Sequence, residues 1–448
     1  MENYDVIFIG SGHANWHAAV ALRQAGKSIA IIEKDKIAGT CTNYGCDPKI
    51  LLDGPFELAD RLNQYKGISV SEAPKIDWPQ LMAYKHQAID PLALQMTALF
   101  KQLGIAVYMG EGKLTDAHTV AVNDQHLHAE TIVLGTGQRA AKLNIPGKEY
   151  LHDNQDFLDL PQMPKRMTFI GAGVISLEFA TMASELGSEV EVVEFADRAL
   201  AAFDLQYVMK LVDKLKQKGV HFNFNEAVSE VQKEADHYKV VTNKGHEFVT
   251  DYVIDATGRV ANTEKLGLEE VGVDFNRSGI VVDSHLRTSV KNIYASGDVI
   301  DKQIPRLTPT ATFESNYIAQ QLLGSSAEIQ YPVVPMVVYG LPRIAQVGVS
   351  PEEANGSDGY HVQAVPYGKQ LLFQYKNEVE AEMKLVFDQD NYLVGASIYG
   401  EDAPELINLI TFIIEGHLTA NDLDQKIFAF PSASIGIISI ISVLLHRD

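Results

Sequence analysis

The only two cysteines of the chain, Cys41 and Cys46, share the segment Gly39-Thr40-Cys41-Thr42-Asn43-Tyr44-Gly45-Cys46-Asp47-Pro48-Lys49. Two thiols so close in sequence can form, break and exchange a disulfide. Pro48 suits the first turn of a helix running through Leu52. That places Cys46 at a helix N-terminus, where the local positive charge stabilises a thiolate and lowers its pKa. Two buried apolar thiols are the plain alternative, but their position beside a nucleotide loop favours redox chemistry.

That loop is Gly10-Ser11-Gly12-His13-Ala14-Asn15. It follows an apolar strand, Tyr4 to Ile9, and opens a helical pattern through Ala25; a second strand, Ser28 to Ile32, then closes on Glu33. The pattern recurs once. Strand Met167 to Ile170 leads into Gly171-Ala172-Gly173-Val174-Ile175-Ser176, a helix, and strand Glu189 to Val193 closing on Glu194, with the same spacing from first glycine to acid. In such a βαβ unit the first glycine permits a tight turn and the second admits a pyrophosphate to the backbone. The helix N-terminus stabilises the anion and the acid binds a ribose hydroxyl. The third glycine is replaced by Asn15 and Ser176, so either unit alone is weak evidence; the repetition predicts two dinucleotide sites. Asp197 follows Glu194 closely, with one arginine, Arg198, so a 2′-phosphate would meet two carboxylates and NADH is expected over NADPH.

The elements around these loops complete an α/β chain. Thr131 to Leu134 ends in Gly135-Thr136-Gly137, and Tyr252 to Ile254 leads to Asp255-Ala256-Thr257-Gly258. A long helical stretch, Asp77 to Leu103, is inserted in the first unit only. The polar segment Pro146 to Pro164 reads as a crossing between domains, and Ile293 to Asp298 as a strand ending at a cofactor edge. Leu307-Thr308-Pro309 opens a helix to about Leu323, with Thr308 as a possible cap. Beyond Tyr331, strands Met336 to Val338, Met383 to Phe387 and Leu393 to Ile398 alternate with turns. The last two form a hairpin at Asp388-Gln389-Asp390-Asn391. Helix Ala403 to Glu415 is expected to end in a left-handed Gly416.

The chain has 448 residues, enough for about three domains at ~150 residues each, and its net charge is −21. Such a surface repels phosphate backbones and acidic membranes, so no nucleic-acid or membrane partner is expected. The longest apolar run, Ile435 to Leu445, is too short to span a bilayer. Two cysteines exclude a disulfide-stapled secreted scaffold, and the start lacks the basic region of a signal peptide. A cytoplasmic location follows as the expectation.

Taken together, the Gly-Thr-Cys…Gly-Cys-x-Pro segment, both nucleotide loops, Ala256-Thr257-Gly258-Arg259, Tyr294-Ala295-Ser296-Gly297-Asp298, Leu307-Thr308-Pro309 and Pro342-Arg343-Ile344-Ala345-Gln346-Val347-Gly348 are informative. The sequence resembles, over essentially its whole length, the class I pyridine nucleotide-disulfide oxidoreductases: dihydrolipoamide dehydrogenase, glutathione reductase and mercuric reductase. The resemblance implies two Rossmann-like dinucleotide-binding domains, for FAD and NAD(P), plus a C-terminal α+β interface and dimerisation domain. The expected boundaries are 1–148 for the first part of the FAD domain, 149–262 for the NAD(H) domain, 263–328 for the return to the FAD domain and 329–448 for the interface domain.

The resemblance also implies roles. Gly10, Gly12 and Glu33 would bind the FAD pyrophosphate and adenosine ribose, Asp298 the ribityl chain and Gly112 the adenine, with Thr40 and Thr308 near the flavin. Gly171, Gly173, Glu194 and Gly258 would form the nicotinamide-cofactor site. Cys46 would face the flavin and Cys41 would exchange with substrate, the pair cycling through a disulfide. Lys49 and Glu178 would be an ion pair beside the flavin. No metal site is expected. Family members are homodimers whose C-terminal domain completes the partner's active site.

One departure limits the functional reading. The family's His-Pro-Thr…Glu motif, whose histidine protonates the departing thiol, aligns with Phe430-Pro431-Ser432-Ala433-Ser434-Ile435. Phe430 replaces the histidine and Ile435 the glutamate; His417 and His446 lie off the motif. General acid–base groups are worth ~10²–10⁴ in rate. Asn316 also replaces the arginine that recognises glutathione. The expectation is therefore transfer from NADH through FAD to Cys41–Cys46, and on to a small-molecule oxidant needing little proton assistance: a low-pKa mixed disulfide, an oxidised sulfur species or a soft metal ion. A diaphorase-like quinone or oxygen reductase, and a flavin redox sensor without turnover, are the alternatives.

Overall fold

The computed structural model describes residues 2–72 and 74–446. The first sheet runs Ala106–Met109, Ile29–Glu33, Glu2–Ile9, Gln125–Leu134, Thr119–Val122, Gly112–Asp116. Glu2–Ile9 is its centre: Val6 to Ile9 are buried, as a strand covered on both faces requires. Gln125–Leu134 serves two neighbours beyond that centre. Its first half pairs with the antiparallel strand Thr119–Val122 and its last three residues with Ile293–Ala295, so the chain returns to the first sheet late. The register sets Ile9 beside Ile32 and beside Leu134. The loops from Gly10, Lys34 and Gly135 therefore leave one sheet edge together, the carboxyl-end crevice where open α/β sheets bind ligands.

The second sheet is parallel throughout, in the order Val220–Asn223, Glu189–Val193, Arg166–Ile170, Tyr252–Asp255, Leu151–His152. The Pro146 to Pro164 crossing thus supplies this sheet's edge strand, and it also holds the helix Asn154–Leu158, capped by Asp153. The third sheet is antiparallel: Met336–Val338, Ile344–Gly348, Leu393–Tyr399, Glu382–Asp388, Tyr360–Val365. The helices Ala403–Glu415 and Ala433–Leu445 share its core, with Ile407, Ile410, Ile437 and Ile441 fully buried.

The cysteine helix, Cys46–Asn63, belongs to the first unit in sequence but not in packing. Its Leu52 and Phe56 are buried in the second domain's core with Phe157, Phe169 and Phe179, and Tyr399 of the third sheet joins that cluster. The second and third sheets therefore fix where Cys46 stands.

One expectation is refined and two need correction. The stretch Asp77 to Leu103 is two helices, Trp78–Ile89 and Leu92–Leu103, separated at Asp90-Pro91, because proline has no N–H to continue the first. Gly416 is right-handed (φ −81°), and the left-handed residue is His417 (φ 44°), whose ring packs edge-on against Tyr392. Thr308 does not cap its helix. Leu307 occupies the cap position of Thr308–Leu322 without a side-chain bond, and the Thr308 hydroxyl lies 3.4 Å from the Cys46 sulfur. Among the described residues no helix is long and apolar enough to cross a membrane.

Candidate functional site

The two βαβ loops are built alike. Gly10 has φ 101°, and a Cβ there would stand 2.4 Å from the Gly135 carbonyl oxygen; Gly171 has φ 97°, and its Cβ would stand 2.7 Å from that of Ala256. Only glycine fits either turn. The closing acids act alike as well. Glu33 Oε2 accepts from the Ser11 amide at 3.0 Å and hydroxyl at 2.7 Å, and Glu194 accepts from the Ala172 amide at 2.6 Å and the Ala196 amide at 2.8 Å. Asn15, at the missing third glycine, donates to the carbonyls of Ile9 and Gly10 at 2.9 and 2.8 Å. Its amide ties the helix to the strand, a compensation that glycine counting does not reveal.

A cavity of about 570 Å³ opens at the first loop, and it is lined by Gly10, Gly12, Glu33, Thr40, Gly112, Asp298 and Thr308, together with Cys41. Every residue expected to hold FAD thus lies on one wall or another of a single space, of a size usual for small-molecule and cofactor sites. The residues suit the group. The helix His13–Gln24 begins at Gly12 with no side-chain cap, leaving its first amides free for a pyrophosphate, and Glu33 offers a ribose acceptor. Arg139 and Arg259 also line this cavity. Arg259 closes the Ala256-Thr257-Gly258-Arg259 segment without an assigned role and Arg139 lies in no motif; the strand pair Gln138–Ala140 and Arg259–Ala261 brings both in.

Gly171, Gly173, Glu194 and Gly258 do not line that cavity. They cluster where the second sheet's strands Arg166–Ile170, Glu189–Val193 and Tyr252–Asp255 end. Arg198 is turned to the third domain: it reaches Glu352 at 3.3 Å and donates to the Phe203 carbonyl.

Cys41 sits in the short helix Gly39–Tyr44, half-buried, and Cys46 begins the next helix, exposed; both are free thiols. The Cys46 thiol is brought down to about 6, first by a hydrogen bond from Cys41, then by Thr308 and Lys49, against partial desolvation by the surrounding protein and Asp47. The same bond, with burial, pushes Cys41 up. The pair is therefore asymmetric, with negative charge held at Cys46.

Lys49, one helical turn on from Cys46, is 3.3 Å from each carboxylate oxygen of Glu178, on helix Val174–Glu185. The ammonium also stands 3.6 Å from the Tyr339 ring centroid, and the Tyr339 amide donates to Glu178 at 2.9 Å. Tyr339 joins the site from the third sheet, and nothing in its local sequence announces it. Phe430 is 83% exposed and Ile427 fully so, whereas Ile435 is half-buried. No titratable side chain replaces the relay at those two positions.

Residues 4–315 match the family model described as pyridine nucleotide-disulphide oxidoreductase, and residues 334–437 match that family's dimerisation domain. The dihydrolipoyl dehydrogenase of Bacillus subtilis (strain 168) is 31% identical over 443 residues, covering 96% of this chain and 93% of that protein. That of Chlamydia muridarum is 30% identical, covering 96% and 94%. The HOCl-induced flavoprotein disulfide reductase RclA from Escherichia coli superposes with a TM-score of 0.88 at 25% identity, over 99% of this chain and 100% of that one. A Cu(II) complex of RclA gives 0.89 at 26% over the same shares.

Proposed function

The chain belongs to the pyridine nucleotide-disulphide oxidoreductase family, and from that premise we propose an NADH-dependent flavoprotein that reduces cupric ion through the Cys41–Cys46 dithiol. The asymmetric dithiol beside Thr308, without a general acid at Phe430, is the observation that carries this reading.

Bound FAD supplies the link that carries two electrons from the nicotinamide to the disulfide. Around it, Gly10, Gly12, Glu33, Thr40, Gly112, Asp298 and Thr308 hold and orient the dinucleotide. Thr308 and Lys49 steady the Cys46 thiolate, and Glu178 with Tyr339 fixes Lys49 in place. Gly171, Gly173, Glu194 and Gly258 receive NADH. Glu194 meets the ribose, and Arg198, engaged by Glu352, offers little to a 2′-phosphate.

Cys41 then faces the acceptor. Disulfide exchange ejects a thiolate that benefits from a proton, the task of the relay missing at Phe430 and Ile435. Cupric ion reverses the demand. The reduced pair, one thiolate and one thiol, and two Cu(II) give one disulfide, two Cu(I) and one proton, so a proton is released and no general acid is required. Thiolate is also a ligand suited to the cuprous product. The Cu(II) complex of RclA, a protein of the same overall shape, supports this choice of acceptor. The protein acts as a homodimer through the domain around residues 334–437, in the cytoplasm.

Anaerobic NADH oxidation followed with Cu(II), oxidised glutathione and lipoamide disulfide in turn tests the proposal, with Cu(I) counted by bicinchoninate. Two Cu(I) per NADH, lost in Cys41→Ser, is the expected result. Copper reduction that survives in Cys41→Ser overturns the dithiol route.

A further inference from the structure

Oxidising one dithiol requires two copper ions, because each accepts one electron. The first cuprous ion must therefore leave the cysteines, or be held elsewhere, before the second cupric ion is reduced. The structure contains a second group of metal-ligating atoms near the same end of the fold, one that the flavin-site reading leaves unused.

His13 and His17 are four residues apart on the helix His13–Gln24, so their side chains share one face. His13 Nδ1 lies 3.1 Å from His17 Nε2. The Thr312 hydroxyl, on helix Thr308–Leu322, lies 3.5 Å from the first and 3.3 Å from the second. Three polar atoms thus converge between two helices that pack along each other. Trp16 fixes the rings: it stacks on His17 with centroids 3.5 Å apart and meets His13 edge-on at 5.5 Å. Both histidines are half-buried. Burial pushes both down, His17 to about 4, with His13 opposing protonation of His17 and Asp47 alone favouring that of His13.

Position links this pair to the dithiol. His13 lines the cavity assigned above to FAD, as Cys41 and Thr308 do, so the histidine pair and the dithiol flank the same cofactor space. Thr312 follows Thr308, the residue touching Cys46, by one helical turn, about 6 Å of rise. The ligand set selects the ion. Among the described residues no group of three or more His, Cys, Asp and Glu is placed to hold a metal. Structural zinc takes four ligands, more than this group supplies, and imidazole is among the ligands that suit copper, so two imidazoles without a carboxylate match a low-coordinate, monovalent ion.

We propose that His13 and His17 form a cuprous-ion site, with Thr312 beside it, that takes Cu(I) from Cys41–Cys46 and clears the dithiol for the second Cu(II). The role rests on the copper reading above; the site itself is tested apart from turnover. The FAD-loaded protein, its cysteines alkylated with iodoacetamide, is titrated anaerobically with Cu(I) against bicinchoninate. One Cu(I) per chain is expected, with quenching of Trp16 emission. In His17→Gln, which keeps a hydrogen-bonding side chain, affinity should fall about tenfold or more. Should that variant fail to retain FAD, protection of His13 and His17 from diethylpyrocarbonate by Cu(I) in the wild-type protein gives the same answer. No uptake by the alkylated protein, equal affinity in His17→Gln or absence of protection overturns the site. Uptake without any Cu(II)-dependent NADH oxidation leaves the site standing and overturns the function proposed for the dithiol.

Discussion

Arg343 and Asp53 form an ion pair with almost no solvent on either side, at 2% and 1% exposure. Arg343 stands at the head of the strand Ile344–Gly348, and Asp53 lies in the cysteine helix. Arg343 Nη1 also donates to the Gly340 carbonyl at 2.9 Å, and Nη2 reaches Glu57 at 3.2 Å. The third sheet is thereby bolted to the helix whose first residue is Cys46. Burial pushes Asp53 up even with the guanidinium present, so this carboxylate depends on its partner.

Arg343→Met should accordingly destabilise the fold by about 3–5 kcal/mol, the usual cost of orphaning a buried charge. Adding Asp53→Leu should recover much of that loss, since paired charges can give way to apolar packing. Thermal melts of the two variants check this, and a double variant no more stable than the single one would show that packing, not charge, sets the cost.

Cys46 should titrate near pH 6 in the two-electron-reduced protein. On the proposed placement of Cys46 beside the flavin, its thiolate should give a long-wavelength charge-transfer band that grows as pH rises through that value. Cys46→Ser should abolish the band, and Cys41→Ser should show it without any reductant. Because the Cys41 hydrogen bond is the leading cause of the low value, Cys41→Ala should move the midpoint up towards an ordinary thiol, about 8.5. Thr308→Val should move it the same way by less. A midpoint unchanged in Cys41→Ala would assign the thiolate's stabilisation to the helix end instead.

The backbone plan was readable because it rests on local rules: a glycine turn after an apolar strand, an acid after the next strand, a hairpin at Asp388 to Asn391. The clustering of Gly10, Glu33, Gly112, Asp298 and Thr308 came from family resemblance, since no local pattern relates Gly112 to Asp298. Tyr339, the Arg343–Asp53 pair and the His13–His17–Thr312 group were not legible. Each joins residues from distant stretches of the chain, such as His13 and Thr312, through packing that sequence spacing does not encode. Gly416 failed for a smaller reason: a glycine near a helix end permits the left-handed turn, but the Gly416 amide still bonds to the Phe412 carbonyl, and the closing bond from the Leu418 amide to the Ile413 carbonyl puts the left-handed residue at His417.

Cofactor choice should respond to Glu352. It holds Arg198 at 3.3 Å from outside the second domain. Wild-type kcat/KM should favour NADH. Glu352→Ala would release the guanidinium toward a 2′-phosphate and raise kcat/KM for NADPH by up to about fivefold, the worth of one partly exposed charge contact, ~1 kcal/mol. A wild-type preference for NADPH of tenfold or more, measured by initial rates, would refute the assignment of Glu194 and Arg198.

Phe430 gives the sharpest test. Turnover of lipoamide or glutathione disulfide should be low, with no step from a histidine titrating near ~6.5. Copper reduction should be insensitive to the same position, because it releases a proton and waits for none. Phe430 is 83% exposed on this chain, so Phe430→His costs little packing within it, and Ile435→Glu replaces only a half-buried side chain. The double variant restores both members of the relay. It should raise disulfide turnover while leaving the Cu(II)-dependent rate near its starting value, and a new pH step near the histidine range should accompany the gain. Parallel gains in both reactions would mean that these residues act on access to Cys41 and not on proton delivery. Brisk wild-type disulfide turnover with a bell-shaped pH profile would mean that another residue already supplies the proton, and the case for an acceptor that needs none would lose its foundation.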